Sequence, residues 1–258
     1  MNLINACCLD AMKEIPNDSI DLVLTDPPYS MTGLKWDSVI DIDMMFSELN
    51  RITKNNQAIA IFGSEPFSTQ LKYKNIKKFK YEWVWNKCRP TGFQYAKHQP
   101  MKYHEFIHIF ERRGQKVNYY PLMEERAKKI TKSQGKLVGE MLRPRFKIDG
   151  KKREYTHKMP SSIVKVSAAN IRPRLHPSQK PVKLLEYLIK TYTKKGDVVL
   201  DFAMGSGSTG IACMNTERIF MGIEKDNKYF RIASERLCLL YTSPSPRDRT
   251  RARMPSSA

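Results

Sequence analysis

Residues 197–224 read DVVLDFAMGSGSTGIACMNTERIFMGIE: a β-branched run, a glycine-rich turn, a helix-length stretch, then a second β-branched run ending in an acid. No other segment narrows the possible folds so far. Two consecutive strands separated by a helix-length stretch pair in parallel, because a parallel pair needs a crossover of about a dozen residues or more. The turn Gly205-Ser206-Gly207-Ser208-Thr209-Gly210 opens the helix. Glycine lets a backbone approach a ligand closely, and the unpaired N–H groups of a helix start favour an anionic group. Glu224 lies 19 residues beyond Gly205, at the end of the next strand, where a carboxylate can accept from ribose hydroxyls. This arrangement suits either NAD or S-adenosylmethionine, so the cofactor stays open at this point.

The same alternation recurs along the chain. Ile20–Thr25 (IDLVLT) is a short buried-type strand that two prolines stop abruptly. Ile42, Met45, Phe46, Leu49 and Ile52 recur at spacings of three and four and predict a helix over 41–52. Ala58–Phe62 reads as a strand, SEPFSTQLKY as a helix, and Tyr81–Asn86 and Tyr103–Phe110 as strands. Pro181 suits the first position of a helix VKLLEYLIKTY. Strands at 197–202 and 219–223 and helices from about Ser208 and Asp226 complete the set. No internal repeat is visible. The pattern predicts an α/β fold with a mostly parallel sheet covered by helices.

Charge adds a partner. The 258 residues carry 45 Lys+Arg against 26 Asp+Glu, a net +19, and 41% of them are apolar. That composition excludes a disordered chain, no apolar run reaches the ~18 residues of a spanning helix, and the N-terminus lacks a signal-peptide pattern. Five cysteines without a CxxC pair fit reduced thiols. The excess points to a polyanion, nucleic acid before membrane, against a merely Lys-rich surface. It is concentrated: residues 111–170 hold 16 Lys+Arg against 6 Asp+Glu, net +10, with weak periodicity. This stretch reads as an insert in which Lys and Arg contact phosphates. Its aromatics Tyr119, Tyr120, Phe146 and Tyr155 fit a small subdomain core. KCRPTGFQYAKHQPMK (87–102) is a second basic loop that can face nucleic acid. Residues 238–258 are rich in Ser, Pro and Arg. They read as a basic tail or, as preferred here, as a non-native one. CLLYTSPSPRD resembles a translated transposase adapter of sequencing libraries, in which TGT CTC TTA TAC ACA TCT encodes Cys-Leu-Leu-Tyr-Thr-Ser. On that reading the native gene is interrupted near Leu237.

The second chemical motif is Asp26-Pro27-Pro28-Tyr29 at the end of the first predicted strand. Proline fixes φ and donates nothing, so this is a rigid display of acceptors. Asp26 and the Pro27 carbonyl can both accept from one exocyclic amino group, and Tyr29 offers a face on which an extruded base can stack. Hydride transfer has no use for such a group.

The order TDPPY, basic region, HPSQKP (176–181), VLDFAMGSGSTG, FMGIEKD resembles the beta-type amino-group DNA methyltransferases, which act on adenine N6 or cytosine N4. The resemblance covers about residues 1–110 and 171–237, with 111–170 as a target-recognition insert. It implies a Rossmann-like methyltransferase fold, S-adenosylmethionine as cofactor, no metal, double-stranded DNA as partner, no membrane, and a monomer or homodimer. It also implies the cytoplasm of a bacterium or phage-infected cell, and a place in restriction-modification. DPPY rather than SPPY is similar to the adenine-N6 enzymes, while FGSEPFSTQ, WNKCRPTGF and KYHEFIHIF are similar to phage and prophage members.

By the same resemblance Asp201, Gly205 and Gly207, with Ser208 and Thr209, would cradle the methionine part of the cofactor, and Glu224 would hold its ribose. Gln179 and Lys180 would lie near its carboxylate, and Asp26, Pro27, Pro28 and Tyr29 would bind the flipped adenine. Many relatives read Asp-Pro-Phe where this chain has Asp201-Phe202-Ala203, and Gly-Asp-Cys-Leu where it has Ala6-Cys7-Cys8-Leu9. Asp10 is the candidate to replace the carboxylate missing at Cys7. The expected reaction is a direct attack of the amino nitrogen on the sulfonium methyl, with no covalent enzyme intermediate.

His104-Glu105-Phe106-Ile107-His108 also matches the zinc signature HExxH. KYHEFIHIF has strand character, however, and four residues of strand separate the two rings by roughly 13 Å, too far for one ion. Beside adenine-N6 transfer stand cytosine-N4 transfer, a NAD-dependent oxidoreductase and a catalytically silent DNA-binding protein.

Overall fold

In a computed structural model, which describes residues 1–29, 40–133, 152–168 and 174–242, strands and helices alternate as the sequence pattern requires. The chain order is β1 (Asn2–Ile4), α1 (Cys8–Lys13), β2 (Ile20–Thr25), α2 (Ile42–Ile52), β3 (Thr53–Gly63), α3 (Phe67–Lys74), β4 (Phe79–Thr91) and β5 (Lys102–Phe110). It continues with β6 (Glu124–Ser133), β7 (Lys152–Lys158), β8 (Ile163–Lys165), α4 (Val182–Tyr192), β9 (Val198–Asp201), α5 (Ser208–Asn215), β10 (Ile219–Ile223) and α6 (Asn227–Thr242). Phe146 and the tail from residue 243 lie outside the described residues; α6 itself runs past Leu237 to Thr242.

Eight strands form one sheet in the order β1-β10-β9-β2-β3-β5-β4-β8. The pairs β1–β10, β10–β9, β9–β2, β2–β3 and β4–β8 are parallel, while β5 runs antiparallel to both β3 and β4. The sheet is buried on both faces, as a mostly parallel sheet must be. The period of two sorts its side chains: Leu22, Leu24, Ala58, Ala60, Phe62 and Val199 join Leu184, Leu188, Ala212 and Leu237 from α4, α5 and α6. Val23, Ile59, Ile61 and Leu200 join Met12, Met45, Phe46 and Leu71 from α1, α2 and α3 on the other side. Each fully buried Leu, Ile or Phe of these layers contributes about 1.5–3 kcal/mol of hydrophobic stabilisation. The α2 stripe is buried as the spacing predicts, and Asp41 caps the helix by accepting from Asp43 N (2.9 Å) and Met44 N (3.0 Å).

From β9 the chain moves through α5 to β10 on one side; from β2 it moves through α2 to β3 on the other. The carboxyl ends of β9 and β2 therefore flank the point where the winding reverses, where open α/β sheets form a ligand crevice. The two sequence motifs occupy those two strand ends.

Two compact units are present, Met1–Tyr120 with the chain from Ser162, and Pro121–Ser161. The second is built on the antiparallel β6–β7 pair. Residues 111–120 and 162–168, placed in the insert by their charge, belong to the first unit. Asn118 N donates to Asn56 O (2.7 Å), Tyr120 N to Thr191 O (2.8 Å), and β8 pairs with β4. Pro181 also departs from expectation: it is the extended N-cap (φ −64, ψ 130), and the helix starts one residue later.

Candidate active site

Asp201 ends β9 fully inside the protein and joins the two strand ends. Its Oδ1 accepts from the Thr25 hydroxyl (2.9 Å) and Ala203 N–H (3.2 Å), and its Oδ2 from the Thr209 hydroxyl (2.6 Å). Burial pushes its pKa up to about 6, against the pull of those donors. With both oxygens engaged, Asp201 builds the loop more than it offers itself to a ligand, and Thr209 is engaged with it.

The two glycines expected to cradle a cofactor separate in role. Gly205 takes φ +50, and a Cβ there would stand 3.3 Å from the His176 ring in the cleft. Gly207 takes φ +76 as the N-cap of α5, and a Cβ there would stand 3.1 Å from Cβ of Ala233 on α6. Gly207 is therefore a helix-packing glycine. Ser208 Oγ is buried in the crevice beneath the loop and has no hydrogen-bond partner among the described residues. Glu224 closes the loop from the end of β10, accepting from Gly205 N (2.8 Å) and Asp226 N (2.8 Å), and burial holds its pKa above the ordinary value.

An open cleft runs over this loop. Its walls include Cys7, Cys8, Asp26, His176, Gly205 and Glu224. Asp10 is not among its walls. It lies on the solvent side of α1, its side chain 72% exposed and paired with Lys13 (3.1 Å), because α1 starts at Cys8 and turns the third residue outward. The carboxylate missing at Cys7 is thus not replaced by Asp10. Burial pushes the Cys8 thiol up to about 12.

Asp26 sits where β2 ends, its side chain only 13% exposed. The Tyr29 hydroxyl donates to its Oδ1 and Lys180 Nζ to its Oδ2 (2.6 Å). Phe67 of α3 backs the Tyr29 ring, centroids 4.9 Å apart and planes 28° from parallel. Lys180, the residue expected near the cofactor carboxylate, lies against the DPPY acid. Gln179 accepts from Leu175 N (2.8 Å), which shapes the HPSQKP loop, and borders the crevice.

Behind Asp26 lies an alternating row of charges: Lys180 also reaches Glu105 (3.2 Å), Glu105 reaches Lys87 (3.5 Å), and Lys87 donates to Thr91 Oγ1 (2.8 Å). Burial opposes the Lys180 ammonium, yet the two carboxylates outweigh it and hold its pKa above the ordinary value. Burial likewise opposes ionisation of Glu105, but Lys180 and Lys87 keep its carboxyl below the ordinary value. For Asp26 burial wins: its pKa is raised despite Lys180. Lys180 further lies 5.0 Å from the Phe62 ring centroid.

Glu105 and Lys87 are neighbours of the candidate site that motif reading missed. A signal existed: Glu105 is in phase with the buried Ile107 and Ile109 on β5, and Lys87 with Trp83 and Trp85 on β4. A charge on the core side of a strand needs a partner. The HEFIH segment is a strand as expected, with Glu105 directed to Lys180. His176 is a further unanticipated neighbour, its ring 4.2 Å from that of Tyr229. Burial, then Lys180, pushes its pKa down to about 4, so it is neutral at pH 7.

The chain is 29% identical over 253 residues to the DNA adenine methyltransferase YhdJ of Escherichia coli strain K12, covering 91% of this chain and 82% of the relative. It is 26% identical over 286 residues to the type II methyltransferase M.HinfI of Haemophilus influenzae, covering 95% and 70%. Among solved structures, the cytosine-N4-specific PvuII DNA methyltransferase aligns with a TM-score of 0.67 at 15% identity, over 97% of this chain and 91% of that one. The M1.HpyAVI–SAM complex aligns at 0.58 with 23% identity, over 92% and 99%. These two structures show the shared fold. The family model of the N6/N4 DNA methylases matches residues 20–235, which include both strand-end motifs and the row of charges behind Asp26. The chain belongs to the DNA methylase family.

Proposed function

We propose that this protein transfers a methyl group from S-adenosylmethionine to the N6 amino group of an adenine turned out of duplex DNA. The observation that carries the reading is the meeting of Asp26 with the glycine loop in one cleft at the reversal of the sheet. The cleft fits the cofactor. Gly205 leaves room where a side chain would crowd His176, Glu224 presents a carboxylate at the end of the neighbouring strand, and in the crevice beneath the loop Ser208 Oγ is buried without a partner among the described residues. Gly205, Glu224 and Ser208 would hold the cofactor, with Cys7 and Cys8 along the wall. When bound it supplies an activated methyl group.

The rest is the work of this chain's side chains. An adenine amino nitrogen is a poor nucleophile because its lone pair is delocalised into the ring. A hydrogen bond from the amino group to Asp26 Oδ1, where Tyr29 Oη also donates, favours a more tetrahedral nitrogen and stabilises its growing positive charge. Burial makes Asp26 more basic than a surface aspartate, so Oδ1 can take the proton that the nitrogen sheds. Lys180 holds the other oxygen and fixes the plane of the carboxylate. Tyr29, backed by Phe67, supports the base by stacking. Double-stranded DNA as partner follows from this chemistry and from the net +19. Among the described residues no helix is long and apolar enough to cross a membrane.

Cytosine-N4 transfer is the second reading, since the matching family model covers N6 and N4 methylases alike. Expression in a methylation-free host followed by single-molecule sequencing of its DNA separates them. N6-methyladenine in a recurring motif is expected and should vanish with Asp26→Ala while cofactor binding persists. N4-methylcytosine would assign the second reading, and near-full activity of Asp26→Ala would refute the role of that carboxylate.

A further inference from the structure

The connection between β4 and β5 is basic, aromatic and exposed, and nothing in the methyl-transfer site uses it. Phe93 is 81% exposed and Tyr95 56%. From Cys88 to Lys102 the chain has Arg89, Lys97 and Lys102 and no acid. The tip is nonetheless ordered by its own backbone. Gly92 turns at φ +88, and Tyr95 N donates to Gly92 O (3.0 Å), Ala96 N to Phe93 O (3.0 Å) and His98 N to Tyr95 O (2.9 Å). Both stems are anchored, Lys87 to Glu105 (3.5 Å) and Lys102 to the hydroxyl of Ser64 at the end of β3.

Strand directions place this tip. β3 is parallel to β2, β5 antiparallel to β3, and β4 antiparallel to β5, so β4 ends on the same edge of the sheet as Asp26. Three strand spacings separate β4 from β2, about 14 Å, comparable with the ~12 Å width of a DNA major groove. The backbone that carries Phe93 is already ordered by the hydrogen bonds of the turn, so insertion has only the side chain left to fix. Apolar side chains that enter a duplex unstack a step at a cost of a few kcal/mol and hold the deformed form.

We infer that the β4–β5 tip is a DNA wedge, with Phe93 entering the base stack beside the extruded nucleotide while Arg89 and Lys97 contact phosphates. This rests on the DNA methyltransferase reading above. The test uses the full chain and short duplexes carrying the sequence found methylated in the host. In one the target is normally paired; in the other it faces an abasic residue, which lowers the work of extrusion. Phe93→Ala should slow single-turnover methyl transfer on the paired duplex roughly tenfold or more, and come within about twofold of wild type on the abasic-opposed one. Phe93→Trp should keep the paired rate, and cofactor affinity by calorimetry should not change in either variant. With 2-aminopurine at the target position, the emission rise seen with wild type should be lost in Phe93→Ala. An equal loss on both duplexes would mean a general role in binding or folding, and no loss would assign the tip to a protein partner; either result overturns the wedge. Absence of transfer by wild type to both duplexes would defeat the underlying methyltransferase reading instead.

Discussion

Replacing Lys180 by methionine keeps the volume and removes the one ammonium that touches Asp26 among the described residues. At an effective dielectric of about 20, its attractions to Asp26 at 2.6 Å and Glu105 at 3.2 Å are roughly 6 and 5 kcal/mol. Desolvation of three buried charges offsets most of that, which is why breaking a buried pair costs about 3–5 kcal/mol and not the full sum. Glu105 keeps Lys87, so Asp26 is the group left unpaired. Its pKa, already raised by burial, rises further without the cation. A carboxyl with a raised folded pKa stabilises the fold at low pH and loses that contribution as pH climbs through the folded value. Urea unfolding should therefore show a deficit of about 3–5 kcal/mol at about pH 8 and a smaller one at about pH 5. The double variant Lys180→Met with Asp26→Asn should recover to within about 1–2 kcal/mol of wild type, since no unpaired charge remains. In the single variant the acid limb of the methyl-transfer rate should move to higher pH, because Asp26 must be ionised to accept from the amino group. A deficit independent of pH, or a double variant as unstable as the single one, would refute the ion-pair argument.

The two loop glycines should respond differently to alanine. Gly205→Ala puts a Cβ 3.3 Å from the His176 ring and should weaken S-adenosylmethionine binding about tenfold by calorimetry, with a stability loss near 1 kcal/mol. Gly207→Ala strains a φ of +76 against Ala233 and should lower unfolding stability by about 1–3 kcal/mol, with cofactor affinity of the folded protein unchanged. Cys7→Asp restores a carboxylate to the cleft wall and should tighten S-adenosylmethionine binding about tenfold, the worth of one hydrogen bond to a charged group; unchanged affinity would remove Cys7 from the cofactor's reach.

The alternation of β-branched runs with three-and-four-spaced apolar residues was enough to read β2, α2, β3, α4, β9, α5 and β10, because burial on one helix stripe or both sheet faces leaves a period in the chain. DPPY and GSGSTG were legible for the same kind of reason: proline and glycine restrict or free the backbone wherever they stand. β1 and β8, three residues each, hold too little pattern to announce themselves. The compact unit 121–161 is narrower than the charged stretch 111–170, because charge density does not report what a strap such as 117–120 packs against. Asp10 was a reasonable substitute on spacing alone, but the direction of its side chain depends on where α1 begins.

What the sequence by itself determined is the fold class, the two strand-end motifs and the polyanionic partner, since each follows from local backbone chemistry or summed charge. Only the tertiary structure decided that Lys180 belongs to Asp26, that Gly207 serves α6, and that Glu105 and Lys87 stand behind Asp26. Those contacts join residues as far as 154 positions apart, and their energies depend on burial that exists only once the sheet has closed.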